Sequence, residues 1–125
     1  MTSAYTPAQI RAFLDLIDIP QKHLRDGSPS RDLEFLTNLH THTISTLPYE
    51  NLSLHYSTTN RIVSLEPRDL YRKIVLDGRG RGGYCMELSI LYNHILRGLG
   101  FDVYTAGVKI RRREGGVPHG DFVGW

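Results

Sequence analysis

The segment Arg81-Gly82-Gly83-Tyr84-Cys85-Met86-Glu87 carries the residues best suited to covalent chemistry, because the chain's one cysteine follows two glycines and an aromatic. After it, the apolar residues Leu88, Leu91, Tyr92, Ile95, Leu96 and Leu99 recur at helical spacing. This pattern predicts a helix entered through a tight Gly-Gly bend, with Cys85 in its first turn. Unpaired backbone N–H groups and the helix dipole favour an anion there, and so a thiolate over a thiol. An accessible thiolate is a nucleophile. A lone cysteine can equally be a small buried core residue, and the residues of the segment alone leave both uses open.

The elements that must position Cys85 follow from periodicity and punctuation. Thr6-Pro7-Ala8-Gln9 reads as a helix start, with Thr6 as N-cap, Pro7 in the first position and Gln9 completing a capping box. Ile10, Phe13, Leu14 and Ile17 mark its buried face, and Pro20 ends it. The stretch from Gln21 to Ser30, containing Gly27 and Pro29, reads as a loop. Ser30 is expected to cap a second helix with apolar positions Leu33, Leu36, Leu39 and Ile44, which stops before Pro48. Pro48 to Asn60 reads as irregular or weakly extended. A third helix starts near Glu66-Pro67, buries Leu70, Tyr71 and Ile74, and ends at Gly78; the Cys85 helix is the fourth and closes near Gly98 and Gly100.

Beyond that point the period changes. Tyr104, Ala106, Val108 and Ile110 alternate with Val103, Thr105, Gly107 and Lys109, which predicts a strand, and Phe122-Val123 is expected to open another. A single strand cannot satisfy its own backbone, so the chain reads as cut off partway into a β-rich domain, with a sheet completed between two subunits as the alternative. The fold class expected is α+β: a helical bundle over residues 1–100 followed by the beginning of a β-barrel over residues 101–125.

Composition narrows the partners. The chain has 125 residues, 40% apolar and 22% charged, enough for one domain with a real core. A net charge of +2 does not argue for nucleic acid. No run suggests a membrane span and the N-terminus lacks a signal-peptide pattern. One cysteine forms no internal disulfide, so a reducing, cytoplasmic setting is expected. His23, His40, His42, His55 and His94 show no metal-ligand spacing, and no metal is expected. Lys109, Arg111, Arg112 and Arg113 read chiefly as a solvated strand end, with contact to ligand phosphates or an acidic partner as the functional alternatives. Gly78 to Gly83 lacks the Lys-Ser/Thr ending of a phosphate loop.

Four segments together resemble the arylamine N-acetyltransferases in order and spacing: Leu47-Pro48-Tyr49-Glu50-Asn51-Leu52, Lys73-Ile74-Val75, Arg81-Gly82-Gly83-Tyr84-Cys85-Met86-Glu87 and Leu99-Gly100-Phe101. The resemblance implies a helical bundle, then a β-barrel, then an α/β lid, with the first and the start of the second in this chain. It implies a ping-pong transfer of an acetyl group from acetyl-CoA, through a cysteine thioester, to an arylamine or hydrazine. Acetyl-CoA is then a substrate, and no bound cofactor is expected. By the same resemblance Cys85 is the nucleophile, Tyr49 stands where an aromatic lines the substrate pocket, and Glu50 and Arg81 occupy a structural ion pair.

Two departures stand out. Ser89 replaces the asparagine common after the cysteine motif. The family's activating histidine and aspartate lie farther downstream; His119 is the one nearby histidine, and it falls in a loop before the strand that should present that base. The 125-residue chain is therefore expected to be an inactive or weakly active fragment, or a catalytically dead truncated paralogue that binds a partner. A papain-like hydrolase would need a downstream His and Asn that the chain also lacks.

Overall fold

The computed structural model describes residues 2–24, 30–56 and 63–108. Helix α1 spans Pro7–Leu16, α2 Leu33–Thr46, α3 Leu52–Tyr56, α4 Pro67–Tyr71 and α5 Cys85–Gly98. A 3-10 turn, Gln21–His23, follows α1, and a π-helical turn, Arg72–Leu76, continues α4.

Local chemistry sets these limits. Thr6 accepts from the Gln9 N–H while the Gln9 side chain accepts from the Thr6 N–H, the reciprocal cap expected of this tetrapeptide. Helix α1 ends before Pro20 exerts any effect. Asp18, with φ of 56°, adopts the left-handed conformation, its N–H bonds to the Asp15 carbonyl, and the Ile19 N–H reaches the Leu14 carbonyl. That is a Schellman closure built on a residue other than glycine. The same closure ends α5, where Gly100 (φ 92°) donates to Arg97 and Phe101 to Leu96.

Helix α2 departs from expectation at both ends. Its N-cap is Asp32, whose carboxylate accepts from the Phe35 N–H at 2.8 Å, and not Ser30. Phe35 and Leu39 point inward, and Leu33 and Ile44 are exposed. The stretch after Pro48, read as irregular, contains the short helix α3. Helix α4 begins at Pro67 and buries Leu70, Tyr71 and Ile74 as expected, and Gly78 with φ of 60° lies just past its π-helical continuation.

The core forms between α1 and α5. Ile10, Phe13, Leu14 and Ile17 pack with Phe35, Leu39, Tyr71, Ile74, Leu91 and Ile95, and Leu88, Tyr92, Leu96 and Leu99 lie partly buried against them. The Tyr5 and Tyr71 rings pack at a tilt, 5.2 Å apart, and tie the N-terminus to α4 through bonds to the Pro67 and Gln9 carbonyls. Phe101 stacks on Phe35 and so seats the chain leaving α5.

Among the described residues the architecture is helical, with one isolated parallel bridge, Tyr49 to Gly83. Residues 101–108 form no strand, against the alternation read from 103–110, because alternation supplies no ladder partner for the backbone. Ile110, Lys109, Arg111 to Arg113, His119 and Phe122-Val123 lie outside the described residues, as do Gly27 and Pro29.

Candidate active site

Cys85 is the first residue of α5 and is exposed. Tyr84, extended at φ −90°, precedes it as N-cap. The two glycines do not supply a bend: neither has positive φ. They allow close approach instead. The Gly83 N–H bonds to the Pro48 carbonyl and the Glu50 N–H to the Gly83 carbonyl at 3.0 Å, so residues 81–83 run alongside 48–50. A Cβ on Gly82 would stand 1.8 Å from the Pro48 oxygen, and one on Gly83 2.8 Å from the Glu87 side chain. No side chain fits in either place, and this contact fixes where α5 begins.

Four charged side chains support the junction. Arg81 Nε donates to Glu50 Oε2 at 2.9 Å, and its Nη2 reaches Glu50 Oε1 at 3.4 Å and the Ser53 hydroxyl at 3.0 Å. The geometry is a forked guanidinium–carboxylate contact joining the two loops. Lys73, from the π-helical turn, pairs with Glu87 and reaches Ser53 at 3.4 Å. Glu87 is 1% exposed, and its second oxygen accepts from the Tyr84 N–H at 3.3 Å. The Tyr84 phenol is pushed above its usual range, first by burial and then by the nearby charges of Glu87, Cys85 and Tyr49.

Two cavities flank this junction. One, about 460 Å³, is lined by Ser53, Asp69, Lys73, Arg81 and Glu87. The other, about 400 Å³, is mainly apolar and is lined by Phe13, His40, Leu47, Tyr49, Ser89 and Tyr92 among others. Ser89 and Leu88 of α5 line this second cavity, and Ser89 follows Cys85 by one helical turn. Tyr49 forms its rim and is 71% exposed.

The residues picked from sequence thus converge: Tyr49, Glu50, Arg81 and Cys85 all lie where residues 48–50 meet 81–85. Lys73, Glu87 and Ser53 had no assigned role. A lysine on the same helix face as Leu70 and Ile74 was the available signal, since a cation there needs a buried partner. Three histidines serve elsewhere: His94 Nδ1 accepts from the Ala4 N–H, Asn38 donates to His23, and His42 donates to the Ile17 carbonyl, whereas His40 lines the second cavity, its ring edge-on to Tyr92. Among the described residues no hydrogen bond joins a histidine to Cys85, and His119 lies outside them. Among those same residues no cluster of three or more His, Cys, Asp or Glu could hold a metal ion, and no helix is long and apolar enough to cross a membrane.

The profile of the N-acetyltransferase family matches residues 32–119, spanning both loops and the whole of α5. This chain belongs to the arylamine N-acetyltransferase family. It is 34% identical over 128 residues to the N-malonyltransferase FDB2 of Gibberella moniliformis, covering 91% of this chain and 35% of that protein. A second N-malonyltransferase FDB2, from Fusarium pseudograminearum, is 32% identical over 123 residues. The liver isozyme of arylamine N-acetyltransferase from Gallus gallus is 39% identical over 83 residues, covering 66% of this chain and 27% of that protein. The chain spans about a third of the length of the curated relatives it matches most extensively.

Proposed function

We propose that this chain carries the nucleophile of a coenzyme A-dependent N-acyltransferase, and that the nucleophile is Cys85. The Cys85 sulfur attacks the thioester carbonyl of acetyl-CoA, the bond to the coenzyme sulfur breaks, and coenzyme A leaves as its thiol. An arylamine or hydrazine nitrogen then attacks the acyl-cysteine, an amide forms, a proton leaves the nitrogen, and the Cys85 thiol is regenerated. Splitting the transfer in this way suits sulfur, because exchange between two thioesters is close to balanced. The observation that carries the reading is the exposed placement of Cys85 at the first position of α5, in a chain of this family.

Other residues take supporting roles. Tyr49 borders the apolar cavity that Ser89, one turn after Cys85, also lines, and offers a ring for an aromatic acceptor. The Glu50–Arg81 pair holds the two loops in register. By family likeness residues 1–100 are assigned to a helical unit and residues 101–125 to the approach to a β-barrel domain, an assignment that the absence of a strand over residues 101–108 does not support. Foreign arylamines are the acceptor class, and a cytoplasmic setting keeps the exposed thiol reduced.

A second reading concerns the donor. The match to N-malonyltransferases over 91% of the chain favours a malonyl group. Incubation with equal acetyl-CoA and malonyl-CoA, followed by peptide mapping of the thioester, separates the two. Acetyl on Cys85 is the expected result, malonyl on Cys85 selects the second donor, and acylation absent from Cys85 with both overturns the function.

A further inference from the structure

The ion pair beneath the start of α5 plays no part in the transfer steps themselves. Glu87 is almost wholly buried inside the first turn of the helix, two residues from Cys85. An uncompensated carboxylate there would oppose a negative sulfur at the same helix end. Its compensation comes from Lys73, whose side chain is 16% exposed. The backbone that delivers Lys73 is unusual: it lies in the π-helical turn Arg72–Leu76, where the Asp77 N–H bonds back to the Arg72 carbonyl. Such turns insert one residue into a helix and commonly re-aim a side chain at a functional site.

The other charged groups around the pair are accounted for. Glu50 is engaged by Arg81, and Asp69 on α4 accepts from the Ser64 hydroxyl. Helix α3 contributes the neutral Ser53 between Lys73 and Arg81. Tyr84 contributes a phenol held in its neutral form and the N–H that binds the other Glu87 oxygen.

We propose that Lys73 is a positioning residue for Cys85: by pairing with Glu87 it neutralises the buried carboxylate and fixes the helix end that presents the thiol. The inference rests on Cys85 being the acyl-carrying nucleophile. It is tested on the full chain by the rate of Cys85 alkylation with iodoacetamide as a function of pH, a readout independent of acyl transfer. Lys73→Met is expected to move the profile upward by about one pH unit and slow alkylation near neutral pH roughly tenfold, the size expected of one uncompensated charge. Lys73→Arg is expected to restore the original profile. The double variant Lys73→Met/Glu87→Gln removes both charges, avoids an unpaired buried ion, and is expected to react close to the wild-type profile. Coincident profiles for wild type and Lys73→Met would overturn the proposal, as would a double variant shifted as far as Lys73→Met. If the profiles move as expected but Cys85 never accepts an acyl group, the positioning role stands and the transferase reading fails.

Discussion

At Gly82 a single missing methyl group decides where the nucleophile's helix begins. A Cβ there would overlap the Pro48 carbonyl oxygen, which is backbone and cannot swing away. Gly82→Ala is therefore expected to destabilise the chain by about 1–3 kcal/mol, the usual range for overpacking, and to slow Cys85 alkylation; urea denaturation and alkylation kinetics check the two effects. Cys85 itself was legible in sequence, since its helix announces itself through local periodicity. The purpose of the two glycines was not: a carbonyl far away along the chain forbids a side chain at Gly82, and the Glu87 side chain crowds Gly83, whereas local sequence suggests only a bend. Glu50 and Arg81 were paired through resemblance, whereas Lys73 and Glu87 received no role because their partnership depends on how a π-helical turn faces α5.

The elements divide according to how much of each is locally encoded. The capping box of α1, Pro67 at the start of α4 and the apolar stripe of α5 are written in adjacent residues, and all three form as read. The start of α2 was misplaced by two residues because Ser30 and Asp32 are both good N-caps, and packing of Phe35 and Leu39 chooses between them. Asp32→Ala is expected to cost about 1 kcal/mol, read as a lowered denaturation midpoint, whereas Ser30→Ala should leave that midpoint unmoved. At the end of α1, Asp18 holds a left-handed backbone that glycine adopts freely. Asp18→Gly is expected to stabilise the chain by about 0.5–1 kcal/mol as that strain is relieved, a gain visible in the same assay. Alternation after α5 pointed to a strand, yet among the described residues 103–108 have no partner strand to pair with, and pairing is not a local property.

For the molecule as a whole, the pH dependence of stability follows from which groups are buried. Burial, aided by Arg97, lowers the His94 pKa below its ordinary value, so the unfolded chain binds the extra proton. Its contribution to stability is present above about pH 6.5 and is lost as the pH falls below that value. Melting temperature should decline through this acid window, and His94→Gln should flatten the decline. On the alkaline side Tyr5 and Tyr71 have pKa values raised by burial, so their contribution is full below about pH 10 and is lost as the pH rises beyond it. Tyr5→Phe should weaken that alkaline loss. At this scale the sequence conveyed the helical core and the family, since apolar spacing and four ordered segments extend along most of the chain. It conveyed less about what lies after residue 100, and the chain as a whole spans only about a third of its longer relatives. The central claim is that the folded start of α5 makes Cys85 the acyl-carrying group. Intact-mass and peptide-mapping measurement after brief exposure to acetyl-CoA tests it most directly, comparing the native chain, the urea-unfolded chain and Cys85→Ala. One hydroxylamine-labile acetyl group on Cys85 of the native chain alone is the predicted result; no such group, or equal loading of the unfolded chain, would contradict it.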